Sequence, residues 1–187
     1  AVLSSIGGVG SAAGRVAVGL LDRQCPQVSS TVLVCAASLL SVVAMVLFLC
    51  PVAPGSVAVS LSIAYFVAQF AYGVTWAAAI MAVRLAFPPR VVGTVYSCLF
   101  TAGIVASLVI NLALFAPHYD AVGRSQGRAR GCAGAECYRP TLIVVAVANA
   151  VGAVAGAGFH AVWMRRQRAA GLGAQHLDSD DDEDVVP

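Results

Sequence analysis

Five residues able to hydrogen-bond or stack, Ser62, Tyr65, Gln69, Tyr72 and Trp76, recur at spacings of 3, 4, 3 and 4. That rhythm places all five on one face of an α-helix. That face is the best candidate for a pathway or ligand surface, and its aromatic and amide groups suit sugars, amino acids, monocarboxylates or metal complexes alike. Ser97, Thr101 and Asn111, with Ile104 and Leu108 between them, repeat the pattern further along at 4, 3, 4 and 3. An asparagine in an apolar run must find a partner, by default across a helix interface, with contact to a bound solute as the alternative. Cys132 and Cys137 have three readings: a short disulfide in an oxidising compartment, a metal pair with His118 as the only other nearby ligand, or two free thiols. The disulfide is favoured over a metal, which would want more ligands. The remaining cysteines, Cys25, Cys35, Cys50 and Cys98, read as small buried apolar residues, and the lone His118 and His160 as packing or interface residues.

Two long apolar runs position the stripes. No charge occurs in the 28 residues from Ser56 to Val83, nor in the 26 from Val91 to Ala116, against the ~20 apolar residues that a helix needs to cross a bilayer. Between them lies Phe87-Pro88-Pro89-Arg90. Proline cannot continue a helix and pushes the residue before it out of the α region, so the runs form a membrane hairpin. The whole composition agrees: 59% of residues are hydrophobic and 11% charged, where a soluble domain carries about 25% charged residues.

Reading the chain in order gives an all-α membrane protein with five spans, about residues 1–21, 28–50, 56–86, 91–116 and 141–164, within a helical domain covering 1–168. Gly10 and Gly14 in the first span, with Gly7 and Ser11 beside them, and Gly152 and Gly156 in the last, have the small-xxx-small spacing that lets helices approach closely. Arg15 falls inside the first span and is expected to snorkel or to pair, with Asp22 the nearest carboxylate. Residues 116 to 140 read as the only long loop. The segment 169–187 lacks apolar periodicity, holds six of the nine acidic residues, and reads as a disordered acidic tail. Alternating the connections puts seven arginines on one side and the four of the long loop on the other, so the first side, with the tail, is expected to be cytoplasmic. The chain opens at Ala1 already inside an apolar run, as a piece of a longer protein would.

Several function classes are disfavoured. The arginines lie at the ends of apolar runs, where they serve topology and not nucleic acid. Outside the tail the only carboxylates are Asp22, Asp120 and Glu136, none inside a span, so the paired acids of a membrane enzyme are missing. No catalytic or phosphate-binding motif is present and no metal or cofactor is expected.

Taken together, Gly14-Arg15-Val16, Tyr72-Gly73-x-x-Trp76, Phe87-Pro88, Gly93-Thr94-x-Tyr96, Tyr119-Asp120 and Cys132-x-Gly134-x-x-Cys137-Tyr138-Arg139-x-Thr141 resemble, in order and spacing, the C-terminal half of a major facilitator superfamily transporter of the nodulin-like group. One departure is Asp22-Arg23, where that group commonly has Ser-Glu. The resemblance implies that the five spans correspond to helices 8–12 of a twelve-helix bundle whose N-terminal half is a further part of the same chain. It implies a multi-pass transporter of a small solute working by alternating access, with Tyr65, Gln69, Tyr72, Trp76 and Asn111 on the substrate pathway. The bilayer is then the main partner, in a plasma or organelle membrane. The competing expectation is a non-transporting receptor or assembly subunit that binds partner helices through its Gly-x-x-x-Gly faces.

Overall fold

The computed structural model describes residues 2–25, 29–50, 57–127 and 131–180. All regular structure among them is helical: α1 (Val2–Gln24), α2 (Ser30–Leu49), α3 (Val57–Ala86), α4 (Pro89–Val109), a π-helical stretch (Ile110–Phe115), α5 (Ala116–Ser125), a 3-10 turn (Ala135–Cys137) and α6 (Arg139–Asp180). Among the described residues four stretches are long and apolar enough to cross a membrane: Ser30–Leu49, Ala58–Ala86, Pro89–Ser125 and Arg139–Arg166. The expected first span is helical but is not one of the four. Its glycines and serines, with Arg15, Asp22 and Arg23, keep it less apolar.

The break between α3 and α4 falls at the prolines. Phe87 N–H closes the last turn of α3 on the Val83 carbonyl at 3.0 Å. Pro89 then occupies the first turn of α4, where its missing N–H costs nothing. The four major helices pack as a layer in the order α1, α3, α2, α6. Val18, Leu33, Ala37, Val74 and Ala78 form its core, with Phe70 and Met81 against it. α4 stands apart, leaning on α3 and burying no residue of its own.

Close approach explains the order of the layer. Gly7, Gly10, Gly14 and Val18 are the buried positions of α1, spaced 3, 4 and 4 along one face. A Cβ on Gly14 would collide with the Phe70 carbonyl oxygen, and one on Gly73 with that of Ser11, so α1 and α3 cross backbone to backbone. The α2–α6 contact uses a different pair from the one the spacing suggests. Ala153 is buried and its carbonyl accepts the Cys35 thiol at 3.6 Å, while a Cβ on Gly156 would come within 2.8 Å of the same sulfur. Gly152 faces open space. A small-residue spacing says that approach is possible, and the neighbour decides which face is used.

Three further expectations change. Span four does not end at Ala116: the helix continues to Ser125, although Pro117 lacks the N–H that an α-helix would need there. The wider π turn before it, with Ala116 N–H bonded to Asn111 oxygen, carries the chain past the proline. The long loop is therefore half helical. The segment from Ala169, expected to be disordered, is helical through Asp180. Extending an existing helix avoids the nucleation cost, and Ala169, Ala170, Leu172, Ala174, Gln175 and Leu177 all favour it. Residues 181–187 of the tail lie outside the described residues. Finally, of the two alternatives for Arg15, pairing with Asp22 is not made, since both are exposed and form no ion pair, and snorkelling is left.

Candidate functional site

The polar stripe of α3 lies where α1 and α4 flank that helix. Its Tyr65 ring fills the space that Gly7 leaves on α1, within about 3 Å of where a Cβ would sit, and Gln69 rests on Gly10 in the same way. Gln69 is half-buried, and its amide makes no hydrogen bond among the described residues. The Tyr65 and Tyr72 hydroxyls likewise have no partner there. Ser62 is satisfied locally by donating to the Ala58 carbonyl at 2.8 Å.

One turn beyond, the stripe becomes aromatic. Trp76 meets Tyr72 edge-on at 6.0 Å, Tyr96 edge-on at 6.2 Å and Phe100 tilted at 5.4 Å between ring centroids. Gly103 leaves room for the far edge of the indole, 3.5 Å from where its Cβ would sit. Such pairs add about 0.5–1.5 kcal/mol each beyond burial. Here they are what joins α4 to α3. Tyr96 and Phe100 were not among the expected site residues. The signal for them is hairpin symmetry: Trp76 and Phe100 each stand twelve residues from Pro88, so an antiparallel pair hinged there brings them level.

Asn111 does not join this group. Its amide donates to the Ser107 carbonyl at 2.8 Å, four residues back in its own helix, so the expected interhelical bond is replaced by a local one at the start of the π turn. Asn111 stands in the π turn that follows α4 and makes no hydrogen bond to α3.

The segment after α4 is a folded cap. Cys132 and Cys137 are disulfide-bonded, with Cα atoms 6.0 Å apart, which removes both from metal ligation. Among the described residues no group of three His, Cys, Asp or Glu side chains could hold a metal. His118 Nε2 lies 2.9 Å from the Glu136 carbonyl oxygen. Gln126 clamps the loop from both sides, its amide donating to the Ala133 carbonyl at 2.8 Å and accepting the Ala133 N–H at 3.0 Å. Gly123 is buried because Gly131 oxygen would lie 2.9 Å from any Cβ there. Replacing Cys132 and Cys137 by serine should loosen the loop by about 2 kcal/mol, the chain-entropy value for so short a ring. Proteolysis and hydrogen exchange would then rise between Gln126 and Tyr138 while α2 and α3 keep their protection, and wild-type cysteines 132 and 137 should alkylate only after reduction.

Among the described residues all regular structure is thus helical, with four helices long and apolar enough to cross a membrane and a disulfide-closed cap after the third of these. Comparison with family models, with curated proteins and with solved structures finds no match to it.

Proposed function

We propose that the chain is the C-terminal part of a multi-pass membrane transporter that moves a small solute by alternating access, with the major facilitator arrangement that its motifs resemble. The observation that carries this reading is Gln69. A half-buried amide with no partner, beside two free tyrosine hydroxyls and the Trp76 cluster, lacks hydrogen bonds that a solute would supply. Loose attachment of α4 fits the reading, since a helix that must rock cannot be locked into a core, and the π turn gives it a natural point of bending. A proton-coupling carboxylate would have to come from another part of the full protein, because no described apolar stretch of α2, α3, α4 or α6 holds one.

Reconstituting the full-length protein in vesicles and measuring uptake over a panel of sugars, amino acids and monocarboxylates tests the proposal. Gln69→Ala should lower uptake of the transported solute roughly 5- to 150-fold, the range for a buried hydrogen bond left unmade. Unchanged uptake in that variant sinks the site assignment. The second reading, a receptor or assembly subunit without transport, draws on the uncovered surface of α4, where Thr94, Ser97 and Thr101 are all exposed. It expects no uptake of any solute and a stable partner bound along that helix.

A further inference from the structure

At the end of the layer opposite the disulfide cap, the first turn of α2, the last turn of α3 and α6 enclose a small cavity of about 40 Å³. Ser29, Ser30 and Thr31 line it from α2, and Phe159 and Trp163 from α6. Thr31 and Phe159 also line a second, apolar cavity of about 330 Å³. This groove runs on past Val34 and Ala79 to Leu99 and Gly156. The two adjoin, sharing Thr31, Ala82 and Phe159 in their walls, and together form a cleft with a hydroxyl-lined mouth and an apolar body.

The mouth has unfilled hydrogen-bonding capacity. Thr31 Oγ1 is held at 2.7 Å from both Ser29 Oγ and His160 Nδ1, so those groups are occupied. Ser30 is different: it is only 6% exposed, lines the cavity, and its hydroxyl has no hydrogen-bond partner among the described residues. No side chain caps α2; Val32 and Leu33 N–H are bonded to the Ser29 carbonyl, which leaves the Ser30 and Thr31 N–H groups open at a positive dipole end that favours an anion. Phe159, Trp163 and Arg166 follow at i, i+4 and i+7 on one face of α6, with the two rings stacked at 6.3 Å. Arg166 is exposed and unpaired. That end of the layer also carries Arg23, Arg84, Arg90 and Arg165, against Asp22 as the one carboxylate among its described side chains.

We propose that this cleft binds an anionic phospholipid. The phosphate sits at the start of α2, taking the Ser30 hydroxyl and the open N–H groups and facing Arg166, and one acyl chain lies in the groove between α3 and α6. An interfacial tryptophan at the mouth and arginines around it are what a headgroup of that charge meets. The site needs the four apolar helices to lie in a bilayer and does not depend on transport.

The test uses the full-length protein in phosphatidylcholine vesicles doped with phosphatidylglycerol. Either lipid carries brominated chains, and the Trp163 emission is taken as wild type minus Trp163→Phe. Brominated phosphatidylglycerol should quench Trp163 at about one fifth of the mole fraction that brominated phosphatidylcholine needs, as one arginine near an anionic headgroup provides. Arg166→Gln, at an exposed position that the fold does not need, and Ser30→Ala should each shrink that preference, and together abolish it. Equal quenching by the two lipids overturns the proposal in favour of ordinary bilayer contact. Displacement of the brominated lipid by millimolar inorganic phosphate also overturns it, because the cleft would then hold a free anion.

Discussion

Alanine at Gly14 should dislodge α1 from the layer. A Cβ at this position would fall on the Phe70 carbonyl oxygen and lie 2.9 Å from the Val74 amide nitrogen, both backbone atoms of a long continuous helix. Neither can yield as a flexible side chain would. Relief requires α1 to move outward, which also separates Tyr65 from Gly7 and Gln69 from Gly10, the contacts that bury the rest of that face. Overpacking costs about 1–3 kcal/mol, and the upper part of that range is expected because the obstacle is main chain. Gly8 and Gly19 have nothing within 4 Å of a Cβ, so alanine there should be neutral or stabilising by about 0.5–1 kcal/mol. Thermal loss of helical circular dichroism in detergent, with protease cleavage within α1 as a local probe, compares the three variants. If Gly14→Ala melts with Gly8→Ala, the helices do not cross where this contact puts them.

The contrast between Gly14 and Gly152 shows how far the sequence carries. In α1 the Gly10-x-x-x-Gly14 spacing picked the true contact face, the one face on which three glycines, Gly7, Gly10 and Gly14, run in register, although Gly8-x-x-x-Ala12 and Ala13-x-x-x-Ala17 offer small pairs on other faces. In α6 small residues occur on several faces, since Ala148, Gly152, Ala153, Ala155, Gly156 and Ala157 all qualify, and only the position of Cys35 on α2 selects Ala153 and Gly156. The hairpin at Pro88 was legible because proline restricts backbone angles locally, whatever surrounds it. Pairing of Cys132 with Cys137 was legible for a similar reason, as five residues of separation leave the two thiols few places to go. Asn111 was not legible. Its amide competes with the backbone for the Ser107 carbonyl, and that competition is decided by the π turn that accommodates Pro117, a distortion with no apolar period to announce it. The polar stripe on α3 was seen as a face, but its aromatic half continues onto α4 through Tyr96 and Phe100, which only the geometry of the hairpin brings alongside.

Trp76→Ala should release α4. No residue of that helix is buried, so its position on α3 rests largely on one indole set against Tyr96 and Phe100, with Gly103 admitting its edge. Truncating a buried tryptophan costs about 3–5 kcal/mol, and the lower end applies to a half-buried ring. The loss should be local: amide exchange in α4 rises by about two orders of magnitude, the equivalent of ~3 kcal/mol, while α2 and the core around Ala37 and Ala78 are unchanged. Spin labels on α3 and α4 should report a broadened distance distribution. Trp76→Phe separates the two roles this residue can play. A phenyl ring keeps most of the packing and loses the indole N–H, so it should restore the order of α4 whatever the site does. If it also restores uptake, Trp76 is a strut that holds the α3 face in shape. If order returns and uptake stays low, the indole N–H touches the solute, and the binding face reaches from Gln69 to the α3–α4 seam.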